Sequence, residues 1–429
     1  MHGKPATPWP SLNPLPPCSA SYSCCLSLSL SLSLTQTHTS MADDDSNNQV
    51  SAFLQALNRA LDDLQSERLY YVQIDVNSPA IKDLLELENR APIILSPHDS
   101  ILSNLSQLKT LIDSLALYQR YTPRSLIQYC LISHQITRIA LSIQKEIQLC
   151  FDKENIENLV KVLKGSCGEE EKLSVLGQFQ DRISGGFDRE LQDLILKARL
   201  FPLLESILCD HSCPLCVREK AGEAMAALAR FSRNVFMGSV LIGPMVSTLV
   251  LMGSSKSLEM LTSLVKSIKG HLVDEMEING EIPRIIGLLC SEDLGIRLMA
   301  LDCLLEMAYF SRKEVIETVI ECGLVEKLVF LQRTATEDDF SEVNQLQETE
   351  KEESCEKAEL GRENGECFLE NPFCGCVAKF AVQVEVGEVM QKSEKKEIKM
   401  EILRRARAAS VSEAEAATVV ADVLWGSHP

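Results

Sequence analysis

The chain has 429 residues, with 61 Asp and Glu against 42 Lys and Arg, a formal charge of −19. The acidic balance argues against a general nucleic-acid binder, which shows a basic face. Its 16 cysteines lack the regular short spacing of a small secreted disulfide scaffold. Hydrophobic residues make up 45% and aromatics only 5%, which disfavours a β-sandwich and favours a Leu/Ala-rich helical protein. The cysteine pattern leads to the expectation of a reducing, cytoplasmic and/or nuclear compartment.

Residues 1–40 carry one charge, Lys4, and no acid; Leu26 to Leu34 strictly alternates Leu and Ser. A CT dinucleotide repeat encodes that alternation. Residues 1–40 are therefore expected to be a disordered leader outside the native coding sequence, with the start at Met41. A signal peptide would have a stronger positive region and less serine, and a transit peptide would have arginine.

Helical periodicity begins at Val50. Phe53, Leu57, Leu61 and Leu64 share one helical face. Ile101, Leu105, Leu108, Ile112 and Leu115 repeat the pattern, as do Leu126, Tyr129, Ser133, Ile136, Ala140, Ile143 and Ile147. Pro79, Pro92, Pro97 and Pro123 punctuate these runs, and Ile74 to Leu95 is ambiguous. The pattern predicts an antiparallel helical bundle over 41–170.

The second half repeats itself. VREKAGEAMAALARFSR from Val217 aligns with IRLMALDCLLEMAYFSR from Ile296, a spacing of 79 residues. LEMLTSLVKSIKG from Leu258 supplies a middle copy. Shorter amphipathic runs precede the copies: LFPLLESIL, PMVSTLVLM and EIPRIIGLL, with a fourth, GLVEKLVFL, from Gly323. Units of about forty residues with two or three helices stack into an α-solenoid, because one unit cannot bury its own apolar face. Within this region Asn234 to Ser255 is uncharged but broken by Gly238, Gly243, Pro244 and Gly253. It predicts two short buried helices rather than a membrane span. Ser311 with Glu314, and Ser412 with Glu415, have capping-box spacing.

Repeats are expected over 185–388. Residues 334–370 contain 13 acids and 3 bases and predict a disordered acidic insert within the last repeat. C-terminal helices are expected over 389–429. The first is basic, with Lys392, Lys395, Lys396, Lys399, Arg404, Arg405 and Arg407 interleaved with Glu394, Glu397 and Glu401.

GEIPRIIGLL, AYFSRKEVIE, NPFCGCVAKFAVQVEVGE and the closing EAEAATVVADVLWG resemble a plant group of armadillo-repeat proteins. That group is related to the armadillo halves of plant U-box ubiquitin ligases. The resemblance implies an all-α fold: an N-terminal helical bundle, then an armadillo-like right-handed α-solenoid. Residues 50–165 resemble, more weakly, the helical domain that precedes the U-box in those ligases. Some thirty residues, Gly165 to Leu194, separate the two regions, and they show no match to a U-box.

Cys209, His211, Cys213 and Cys216 could in type ligate zinc, but they crowd one short loop and no second pair stands at zinc-finger spacing. Cys374 and Cys376 read as repeat-core thiols. No catalytic, cofactor-binding or metal-ligating residue is assigned, and no cofactor is expected. In armadillo proteins the groove positions lie two and six residues after the core alanine. Carried onto Ala221, Leu261 and Ala300, the resemblance points to Glu223 and Ala227, to Ser263 and Ser267, and to Asp302 and Glu306. The expected groove is acidic and hydroxylated. It implies a non-enzymatic interaction scaffold whose protein partner offers a basic or polar extended segment, with no nucleic acid and no integral membrane. The alternative is a U-box-less adaptor or regulator in ubiquitin ligation.

Overall fold

A computed structural model describes residues 49–66, 78–95, 98–117, 123–334 and 372–425. These hold nineteen helices and no strand. The leader expected over 1–40 and the insert expected over 334–370 lie outside the described residues, except Thr334, which ends a helix.

The chain divides into two compact units at Phe151/Asp152. The first holds α1 (residues 49–66), α2 (Pro79–Ile94), α3 (Asp99–Leu117) and the first part of α4 (Pro123–Lys164). Of the ambiguous stretch, residues 74–77 lie outside the described residues and Pro79–Ile94 forms α2. Ser78 caps it, its hydroxyl accepting from the Ile81 N–H at 3.3 Å, and Pro79 occupies a first-turn position where a missing N–H costs nothing. The apolar faces of α1 and α3 are buried throughout. On α4 the buried face starts at Tyr129, and Leu126 is exposed instead. Polar bonds fix the neighbours. Gln144 donates to Asp62 at 2.6 Å, Asn104 to Glu146 at 2.9 Å and Lys109 to Glu88 at 2.6 Å.

The second unit begins with the end of α4, followed by α5 (Glu169–Ser184), α6 (Arg189–Lys197), α7 (Leu200–Cys209) and α8 (Leu215–Phe231). Next come α9 (Arg233–Ile242), α10 (Met245–Met252), α11 (Ser255–Ile268), α12 (Gly270–Ile278), α13 (Ile282–Leu288) and α14 (Leu294–Phe310). Then follow α15 (Lys313–Glu321), α16 (Leu324–Thr334), α17 (Cys376–Val386), α18 (Lys392–Ala409) and α19 (Glu413–Trp425). Four three-helix units, from α6 to α17, repeat one plan. In each, the second helix packs against the third, and each third helix packs against the next third helix. The ladder of third helices runs α8, α11, α14, α17. It extends to α5 at one end and α19 at the other.

The ladder therefore begins earlier than the repeats expected from residue 185. Val175, Leu176, Phe179 and Ile183 bury one face of α5, which packs on α8. The end of α4 joins the same core through Ile156, Leu159, Val162 and Leu163. Arg182 on α5 ties these helices together: its Nε and Nη2 donate to the buried carboxylate of Asp152 on α4, both at 2.7 Å. Nη2 also reaches Asp188 at 3.0 Å, and Asp188 caps α6.

The uncharged stretch forms α9 and α10, bent by 66° relative to each other. No single helix among the described residues is long and apolar enough to cross a membrane. In the F-S-R motifs, Phe231 and Phe310 are buried. Arg312 bridges back to Asp274 and Glu277 on α12, each at 2.8 Å. Ser311 does not cap α15. Its hydroxyl donates to the Met307 carbonyl at 2.6 Å, a local bond open to any helix-terminal serine. Ser412 does accept from the Glu415 N–H at 3.1 Å, and the Glu415 carboxylate accepts from the Val411 N–H at 2.6 Å.

Candidate binding groove

The exposed side of the ladder carries the five residues expected to form the groove. An α-helix places residues three or four apart on one face, so Glu223, Ala227 and Arg230 line up on α8. Glu259, Ser263 and Ser267, with Lys256 and Lys266, lie on α11, and Asp302 and Glu306 lie on α14. The rungs α5, α8 and α11 frame an open pocket of about 420 Å³. Glu223, Ala227 and Ser263 line it together with Gln180, Glu259 and Arg230. Ala227 is nearly covered and forms its floor.

Each carboxylate has a definite environment. Glu223 accepts from Lys220 at 2.9 Å and from Gln180 on α5 at 3.4 Å. Glu306 faces Lys266 on the neighbouring rung at 3.7 Å. Asp302 stands exposed. Partial desolvation raises its carboxyl pKa, against the pull of Lys266 and of Lys379 on α17. The hydroxyls are engaged as well. Ser263 accepts from Arg230, and Ser267 donates to the Ser263 carbonyl at 2.8 Å.

The expectation of an acidic, hydroxylated groove is therefore corrected to one of mixed charge. Arg230, Lys256, Lys266 and Lys379 stand among the acids, and several acids already have a lysine. The sequence signal for these bases was available. Lys266 lies three residues after Ser263, one turn along the same face, whereas the armadillo rule names only two positions per helix. The contribution of α5 is not legible in the sequence because α5 lacks the F-S-R terminus of the copies at Val217 and Ile296.

The four residues with zinc-ligand character do not converge. Cys209 Sγ lies 3.4 Å from the Thr248 hydroxyl, Cys213 donates to Asp210 at 3.4 Å, and Cys216 donates to Glu169. Burial, aided by Asp210, pushes the Cys213 thiol up. The bond to Glu169 does the same for Cys216. Among the described residues no three His, Cys, Asp or Glu gather as a metal site. Cys376 is buried, donates to the Leu328 carbonyl at 3.3 Å, and has its pKa pushed up by desolvation to about 12. It is a packing residue.

No family model and no curated protein matches the chain. Among solved structures, the designed armadillo repeat protein YIII(Dq)4CqI is similar. It is 16% identical and covers 62% of this chain and 99% of its own, at a TM-score of 0.40. Another, YIII(Dq.V1)4CPAF in complex with peptide (KR)4, is 16% identical, covers 63% and 98%, and has a TM-score of 0.42. An engineered protein covers 88% of this chain and 98% of its own at 14% identity and a TM-score of 0.38. In this chain α5, α8, α11, α14, α17 and α19 stack one on the next as the rungs of a solenoid.

Proposed function

We propose that the protein is a non-catalytic interaction scaffold that holds an extended, basic or polar segment of a partner protein along its ladder face. The observation that carries this reading is the alignment of Glu223, Ser263, Ser267, Asp302 and Glu306 on three successive rungs. Glu223 and Ser263 line an open pocket, and Asp302 is an exposed carboxylate with no ion pair among the described residues. Repeating rungs present side chains at regular intervals, which suits an extended chain rather than a compact ligand. The interspersed lysines favour a segment that alternates basic with polar residues over a uniformly basic one, because like charges placed opposite each other cost affinity.

The alternative, an adaptor or regulator in ubiquitin ligation, is drawn from the sequence resemblance. Residues 165–194 stand where those ligases carry the U-box, and here they contain the first rung, α5, and most of α6. That arrangement favours the scaffold reading. The test is fluorescence anisotropy of a labelled alternating Lys-Ser peptide against the full chain. Replacing Glu223, Asp302 and Glu306 together by Lys should weaken binding at least tenfold, and unchanged affinity would refute the groove.

A further inference from the structure

Helices α18 and α19 enclose a second surface. The inner face of α18 is spent on the solenoid core, where Ile398, Ile402 and Ala406 are fully covered. A second apolar stripe remains. Met400 and Leu403 of α18, with Val420 and Leu424 of α19, line an open trough of about 870 Å³. Met400 is 60% exposed and Leu424 49%, and the adjacent Trp425 is 81% exposed. Helices at the edge of a solenoid ordinarily turn a polar face outward, and an open apolar trough between two helices with a polar rim has the shape that takes an amphipathic helix.

The rim fixes the chemistry of the occupant. Its two acids are already answered: Glu397 by Lys313 at 2.6 Å, and Glu401 by Arg404 and Arg405. Lys396 and Arg407 also line the trough and make no ion pair among the described residues. The trough thus combines an apolar floor with surplus positive charge. We propose that it docks an amphipathic, acidic helix of a partner protein. Leucine-type side chains would fill the space between α18 and α19, and flanking Asp or Glu would meet Lys396 and Arg407. This surface is separate from the ladder groove and does not depend on it.

The test is fluorescence anisotropy on the full chain with three labelled 18-residue peptides. The first carries leucines at helical i, i+3/i+4 spacing flanked by glutamates. The second has lysines for the glutamates, and the third has serines for the leucines. The first should bind saturably and the other two at least tenfold more weakly. K396E combined with R407E should weaken the first peptide at least tenfold and strengthen the second. Both side chains sit on the rim, so these substitutions spare the fold, and M400D should weaken the first peptide independently. Equal binding of the first two peptides, retention of the serine peptide, no binding of the first, or indifference to K396E/R407E would overturn the proposal. Two further results would also overturn it. One is hydrogen-exchange protection of residues 335–371 that K396E/R407E abolishes without peptide, which would make this chain's own segment the occupant. The other is a concentration-dependent dimer lost in M400D, which would make it a second copy.

Discussion

Lys266 on α11 places its ammonium 3.7 Å from the Glu306 carboxylate on α14. One of the groove acids is therefore answered by the neighbouring rung before any partner arrives. A basic ligand must displace or share that lysine. Lys266→Ala should raise affinity for an alternating Lys-Ser peptide about two- to fivefold, the range that a partly exposed ion pair commands. Isothermal titration at low and moderate salt checks it, and the gain should shrink as salt screens the charges.

Asp302 sharpens the pH dependence. Partial desolvation holds its carboxyl above the ordinary range, so it loses its charge at a higher pH than a fully hydrated aspartate. Capture of a basic peptide should therefore begin to weaken at a higher pH, on acidification, than it does in Asp302→Asn. Titrations of both proteins from neutral pH downward compare the onset.

Asp152 is buried, with the Arg182 guanidinium bonded to both of its oxygens. Removing one partner of a buried pair leaves a charge uncompensated. Arg182→Ala should destabilise the unit containing α5 and α6 by about 3 kcal/mol. A lower urea midpoint, with faster hydrogen exchange in α5 and α6, is the expected readout.

Gly387 has no room for a side chain. A Cβ there would stand 2.6 Å from the Tyr309 carbonyl oxygen, which also accepts the Glu388 N–H at 3.1 Å. Gly387→Ala should cost about 1–3 kcal/mol, as overpacking does. Gly222→Ala should cost less, because its nearest obstacle is the flexible end of Met260. Paired thermal melts separate the two.

Glu401 has its carboxyl lowered from the usual 4.5 to about 2 by its bonds to Arg404 and Arg405. A depressed folded-state pKa contributes stability above the ordinary value. That contribution is lost as pH falls from about 4.5 through about 2. The cluster is largely solvent-facing, so the effect is small and salt-sensitive. The difference in stability between wild type and Glu401→Gln should shrink across that window.

Much of the solenoid was legible in the sequence because burial leaves a periodic apolar trace. The copies starting at Val217, Leu258 and Ile296 became α8, α11 and α14, and GLVEKLVFL became most of α16. What escaped depends on contacts across helices. The Lys266–Glu306 and Arg182–Asp152 pairs join residues forty and thirty positions apart, and no local pattern reports them. Ser311 shows the limit of a local motif: its spacing to Glu314 suits a capping box, yet its hydroxyl turns back to Met307. The groove positions follow from the armadillo resemblance, which points two and six residues past Ala221, Leu261 and Ala300. Lys266 is legible one turn after Ser263 on the same face, but its pairing with Glu306 depends on which rungs stand side by side.

The groove claim is tested most directly by photo-cross-linking from defined positions. The p-benzoylphenylalanine residue is placed either at Ser263, on the ladder face, or at the exposed Ile242 on α9, off the ladder. Each full-length protein is irradiated with the labelled Lys-Ser peptide. A cross-link from position 263, lost when Glu223, Asp302 and Glu306 are replaced by Lys, and none from position 242, is the expected result. Cross-linking from 242 but not from 263 would contradict binding along the ladder.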